Sequence, residues 1–226
     1  MIVIIIGMHR SGTSALAGLL HSNNISMGKD GDFYPPPAKE NPKGFYENVR
    51  FRRVNDAILA LHGYKVKSFS PTIPTVVSAS DEINTAMGNL ILEYCPLGNW
   101  GWKDPRTCLT IYAWLSILER IGKLKKVRIV VIERSYESVA RSMRARGNKE
   151  QYDLQFVKLA SQYQFYFQKG FISFVKEHGE DIPITSINFR ELIFDTANTA
   201  IKLSDFLEHD ITDISFVEEG IAKNVP

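Results

Sequence analysis

Hydrophobic residues alternate between two rhythms along this chain. Ile2 to Ile6 is an unbroken β-branched run that stops at Gly7, the pattern of a strand buried on both faces of a parallel sheet. Ala15, Leu16, Leu19 and Leu20 follow at helical spacing, so the chain opens as strand, tight loop, helix. Residues 28–46 contain Pro35 to Pro37, Pro42 and interspersed glycines, which predicts an irregular surface loop. Phe51, Val54, Ile58 and Leu61 mark a helix after it, and Ile83, Met87, Leu90, Ile91 and Tyr94 mark another. Trp100 to Trp102 predicts a short strand, broken by Pro105 and followed by an apolar helix from about Cys108 to Ile121. Val127 to Ile132 is a second buried strand, leading directly into a helix that carries Val139, Ala140 and Met143. A long helix then places Phe156, Leu159, Tyr163, Phe167, Phe171 and Phe174 near one stripe, whose plain use is core packing. Ile182 to Ile187 predicts a further strand, and Ala200, Leu203, Phe206 and Leu207 the last substantial helix.

Strands alternating with helices predict an α/β fold: a P-loop NTPase-like three-layer sandwich with a central parallel sheet flanked by helices. With 226 residues, no internal repeat and no evident linker, the expectation is a single domain over 1–226. A formal net charge of +2 gives no general attraction to nucleic acid or membrane, so any anion site has to be local. Cys95 and Cys108 fit neither a disulfide framework nor a zinc spacing, which favours free thiols in a reducing compartment. The N-terminal apolar run is too short for a signal or membrane segment, so the expected location is cytoplasmic; the same feature fits a chain whose leader has been removed.

Gly7-Met8-His9-Arg10-Ser11-Gly12-Thr13-Ser14 has the spacing of the nucleotide-binding loop G-x-x-x-x-G-K-[ST], except that Thr13 stands where lysine belongs. The glycines let successive backbone N–H groups turn inward, and the helix that follows adds its positive end, so a 5′-phosphate suits the loop. Without the lysine the loop lacks the usual cation for the β- and γ-phosphates of ATP, and Arg10 supplies a charge from another direction. A ligand-free glycine turn is the plain alternative, and it leaves the loop's length and Ser/Thr content unexplained.

GMHRSGTSALAGLL resembles the 5′-phosphosulfate loop of sulfotransferases that use 3′-phosphoadenosine-5′-phosphosulfate (PAPS), especially their bacterial and tyrosylprotein or carbohydrate-type branches. VIERSYESVARSMRAR is similar to a second family motif, with Arg134 at a strand tip and Ser142 eight residues on; in the family this pair holds the 3′-phosphate. Two helical turns separate them, so both can face one phosphate. Trp102-Lys103-Asp104-Pro105-Arg106 is similar to the K-D-P segment, whose lysine lies near the transferred sulfuryl. SINFRELIFDTANTAIKLSDFLE resembles a family strand-helix segment, and NPKGFYEN a loop that delivers a glutamate, which serves as the base in tyrosylprotein-type relatives. The likeness runs from residue 2 to about residue 208. It implies PAPS as donor, 3′,5′-ADP as product and a hydroxyl-bearing acceptor, with no metal, nucleic acid or membrane insertion. Donor binding falls to Arg10, Ser11, Gly12, Thr13, Ser14, Arg134 and Ser142, and catalysis to Arg10, Glu47 and Lys103. Two departures stand out: many cytosolic members have lysine in the first loop plus a separate catalytic histidine, and many carry a glycine-rich basic C-terminal segment where this chain has Gly220 to Pro226.

Sulfuryl transfer is an in-line displacement with charge spread over the equatorial, attacking and leaving oxygens, work that fixed cations and backbone donors can do. Arg10, Lys103, the loop amides and the hydroxyls of Thr13 and Ser14 are assigned to it. Glu47 is the candidate base, its bland counterpart being a first-turn glutamate that complements a helix dipole. His9 and His62 are rival bases; His9 also suits a structural role and His62 a helix C-cap. Lys103 reads alternatively as an exposed lysine beside a turn, and Arg106 as a partner of Asp104 or of substrate. Arg50, Arg52, Arg53, Arg141, Arg144 and Arg146 read as solvated helix faces or as contacts to an acidic acceptor. The competing functions are a P-loop kinase, with Glu133 after Ile129 to Ile132 as its magnesium-side acid, and a non-catalytic nucleotide-binding scaffold.

Overall fold

The computed structural model describes residues 1–33, 44–65, 78–145 and 153–218. Expectations that fall on Pro35 to Pro37, Pro42, Arg146 and Gly220 to Pro226 lie outside these. The β-branched opening run forms β1 (Ile2–Ile6), followed by α1 (Thr13–Ser22), α2 (Val49–Leu61) and α3 (Asp81–Tyr94). Next come β2 (Trp100–Lys103), α4 (Thr107–Arg120), β3 (Val127–Glu133), α5 (Tyr136–Arg144) and the long α6 (Asp153–His178). β4 (Ile184–Asn188), α7 (Phe189–Phe194), α8 (Thr196–Leu207) and α9 (Ser215–Glu218) complete the described chain.

Among the described residues four strands run parallel in the order β2-β1-β3-β4, with Ile5 beside Lys103 and Ile6 beside Val131. Side chains alternate across the sheet, which sorts them into two cores. Ile2, Ile4, Ile6, Trp100, Trp102, Ile129 and Val131 pack under α2 to α6, joined by Leu159, Tyr163, Phe167 and Phe174 of the aromatic stripe. Val3, Ile5, Val130, Ile132 and Ile187 face the layer of α1, α7, α8 and α9. The predicted α/β sandwich with a central parallel sheet is therefore the observed one. Cys95 and Cys108 are both free. Among the described residues no helix is long and apolar enough to cross a membrane.

Two details differ from the sequence expectation. Leu61 is 56% exposed although it continues the helical stripe; α2 ends there, and the chain turns so that Tyr64 N–H bonds the Leu59 carbonyl and Tyr64 becomes buried. The last strand is displaced by one or two residues from Ile182 to Ile187 and forms a sheet edge, so Ile184 is 41% exposed while Ile187 is buried. The strand order sets the functional geography. From β1 the chain crosses to β2 on one side, then back past β1 to β3 on the other. The carboxyl ends of β1 and β3 thus flank a topological switch point, where open α/β sheets leave a crevice.

Candidate active site

The loop from Gly7 to Gly12 leaves β1 at this crevice. Ser11 closes it by donating both its N–H (3.1 Å) and its hydroxyl (2.6 Å) to the Met8 carbonyl. Arg10 (φ 66°) and Gly12 (φ 98°) are left-handed. A Cβ on Gly12 would lie 2.3 Å from the Phe189 ring, and one on Gly7 would lie 2.7 Å from Ser11 Oγ, so both positions demand glycine. Thr13 and Ser14 form the first turn of α1, where N–H groups have no intrahelical acceptor. The loop therefore presents amides and a helix N-terminus to the crevice. Thr13 is buried and the Ser11 hydroxyl is committed to Met8, so Ser11 serves the loop's shape.

On the other side of the crevice, Arg134 follows the last residue of β3, and Ser135 caps α5. Arg134 Nη1 donates to the Arg10 carbonyl at 2.9 Å, and its guanidinium lies 4.2 Å from the centroid of the Phe189 ring. Arg10 Nε donates to Ser142 Oγ at 3.0 Å. The three residues expected from two separate motifs thus meet. Burial, then the charges of Arg10 and Arg141, push Arg134 below the ordinary arginine value. Arg141 in turn donates to Ser138 Oγ at 3.1 Å. Beside this cationic cluster opens a cavity of about 550 Å³, lined by Met8 and Ser11 of the loop, Glu133 to Glu137, and Gln164 and Gln168 of α6.

At the carboxyl end of β2, Lys103 is only 2% exposed and donates to Glu47 Oε1 at 2.9 Å; the Glu47 side chain is 14% exposed. Burial by itself would raise the Glu47 carboxyl, but Lys103, His9 and Arg106 outweigh that and hold it down at about 2. The exposed-lysine reading of Lys103 is thereby excluded. Glu47 does not complement a first turn either: Asn48 is the N-cap of α2, its side chain accepting from Arg50 N–H, and Glu47 lies before it. His9 reaches Glu47 through its charge and packs edge-on against buried Tyr163, at a centroid separation of 5.9 Å.

The remainder of the K-D-P segment is a strut. Arg106 bonds both Asp104 (2.8 Å) and Asp56 (2.7 Å), which answers its pairing in favour of protein carboxylates. Asn55 donates to Asp104 (2.9 Å) and accepts from Thr110 (2.6 Å) and Trp114 (2.8 Å), tying α2 to α4 beneath Lys103. His62 is the C-cap of α2, its N–H donating to the Leu59 carbonyl at 3.1 Å, while its ring bonds the Ser78 carbonyl at 2.9 Å. Arg50 forms a bidentate pair with Glu93. Sequence reasoning missed Asn55, Asp56, Phe189, Gln164 and Gln168. Only Asn55 left a trace, as a polar residue within the apolar pattern of α2.

No family model and no curated protein sequence matches the chain. Solved structures do. The sulfotransferase domain from the curacin biosynthetic pathway aligns at a TM-score of 0.50 and 15% identity, covering 94% of this chain and 75% of that one. The sulfotransferase domain from the Synechococcus PCC 7002 olefin synthase aligns at 0.51 and 15%, covering 94% and 74%. Sulfotransferase STF9 from Mycobacterium avium aligns at 0.52 and 13%, covering 95% and 65%. The fold is that of the sulfotransferase domains.

Proposed function

We propose that this chain is a PAPS-dependent O-sulfotransferase. The observation that carries the reading is the meeting of Arg10, Arg134 and Ser142 beside the cavity at the switch point. Guanidiniums this close repel one another, and a phosphate dianion seated among them relieves the repulsion. The amides of residues 12–14 would hold the 5′-phosphate end of the donor, and Arg134 and Ser142 the 3′-phosphate. PAPS brings an activated sulfuryl: the acceptor oxygen–sulfur bond forms as the bond to the 5′-phosphate oxygen breaks, and the acceptor proton must be taken up.

Lys103 and Glu47 suit that proton transfer. While Lys103 neutralises Glu47, the carboxylate is a poor base. An anionic donor at the end of β2 competes for Lys103, and burial then raises the released Glu47 toward a useful basicity. The acceptor is a hydroxyl compound, whether sugar, lipid, peptide or small alcohol. Calorimetric titration without magnesium tests the donor site: 3′,5′-ADP binds far more tightly than 5′-AMP or magnesium–ATP, and Arg134→Ala weakens it by about 10- to 100-fold. Preference for magnesium–ATP would overturn the proposal in favour of a kinase.

A further inference from the structure

Resting on the reading of Glu47 as the base, we infer that Tyr46 and Phe216 are positioning residues of the reaction: a cage of rings between α1 and α9 locks the backbone that aims Glu47 at Lys103. Glu47 follows a residue in an uncommon conformation. Tyr46 is left-handed (φ 52°), a region that a bulky side chain occupies only where its surroundings over-determine it. Three rings supply that constraint. The centroids of His21, Phe33 and Phe216 lie 5.4, 5.5 and 5.5 Å from that of Tyr46, in edge-on or tilted contacts.

Each wall of the cage is itself held. His21 Nδ1 accepts from the Met27 N–H at 3.2 Å, which fixes its ring on α1. Phe33 pairs with Asn48 through an antiparallel bridge, and the Val49 N–H bonds the Asp32 carbonyl at 2.8 Å. Phe216 lies over Gly18 of α1, where an added Cβ would be 2.1 Å from its ring, so glycine opens the seat; the adjacent Val217 is buried in the core. On the far side of Glu47, buried Asn48 donates to the Tyr94 hydroxyl at 2.7 Å, and Tyr94 donates to Asp32. The chain is thus gripped both before and after Glu47, whose carboxylate stands 2.9 Å from Lys103 Nζ. Were Tyr46 to relax into an ordinary conformation, the peptide ahead of Glu47 would rotate and the carboxylate would leave Lys103. A base has to stand within hydrogen-bond reach of the proton it takes, so a fixed main chain here serves the transfer.

The test follows the Glu47 carboxyl by carbon-detected NMR in the nucleotide-free protein, its signal identified by its loss in Glu47→Gln. In the unaltered protein Lys103, His9 and Arg106 hold the carboxyl at about 2, so it stays ionised at pH 3. Tyr46→Ala and Phe216→Ala should each raise its proton affinity by about tenfold or more, because the carboxylate leaves Lys103. Tyr46→Phe keeps the ring and should leave the titration unchanged. Tyr46→Gly accepts the left-handed backbone without the ring, and should move it less than Tyr46→Ala. Leu203→Ala, in the same core but outside the cage, should not move it. Circular dichroism checks that each variant is folded, and calorimetry with 3′,5′-ADP judges the donor site on the same samples. If the unaltered protein does not bind 3′,5′-ADP, the donor reading falls, and the use of the cage in catalysis falls with it. If it binds, and the Glu47 titration is the same in Tyr46→Ala and Phe216→Ala as in the unaltered protein, or moves as much in Leu203→Ala, this inference alone is overturned.

Discussion

Replacing Lys103 by Met keeps most of the buried stem and removes the charge together with its hydrogen bond to Glu47, so it isolates what the Lys103–Glu47 pair contributes. Glu47 is held at about 2 against an ordinary 4.5. At about 1.4 kcal/mol per tenfold, that corresponds to about 3 kcal/mol of stability at neutral pH, within the range for breaking a buried pair. The sign follows from the direction of the shift. A carboxyl depressed in the folded state contributes fully above about pH 4.5, and the contribution disappears as pH falls toward about 2. The groups facing Glu47 are Lys103, His9 and Arg106, and in Lys103→Met the last two remain while burial is no longer outweighed by the lysine. Urea unfolding of both proteins at pH 7, 5, 4 and 3 should show a stability gap of about 3 kcal/mol at pH 7 that closes by about 2 kcal/mol at pH 3. Adding Glu47→Gln to Lys103→Met should recover stability at pH 7, because it removes an uncompensated buried charge. A gap that stays constant from pH 7 to pH 3, or a double variant less stable than Lys103→Met, would refute the pairing argument.

Two further substitutions probe the scaffold. Gly12→Ala combines a left-handed backbone with a Cβ 2.3 Å from Phe189, and should cost about 3 kcal/mol in urea unfolding, much less when Phe189→Ala is also present. Asn55→Leu leaves the Trp114 and Thr110 donors and the Asp104 carboxylate short of a partner, and should destabilise by about 3 kcal/mol with an unchanged urea slope.

What the sequence makes legible depends on how far apart the cooperating residues are. β1 declares itself because a strand buried on both faces needs an unbroken apolar run, and five consecutive β-branched residues have no other economical use. The loop is legible because its conformational demands fall within eight residues, and Arg134 and Ser142 because the segment that resembles a family motif contains both, at a strand tip and two helical turns on. The pairs that give the site its electrostatics join distant positions: Lys103 to Glu47 across 56 residues, Arg10 to Ser142 across 132. No local periodicity encodes them, since each depends on strand order and helix placement. Lys103 and Glu47 could be named as site residues from the motifs that contain them, yet whether they face one another or the ligand was invisible until β2 lay beside β1. The same reasoning explains why Arg10 reads in sequence as a loop cation. Its neighbours along the chain form the loop after β1, and its side-chain partner Ser142 lies on α5.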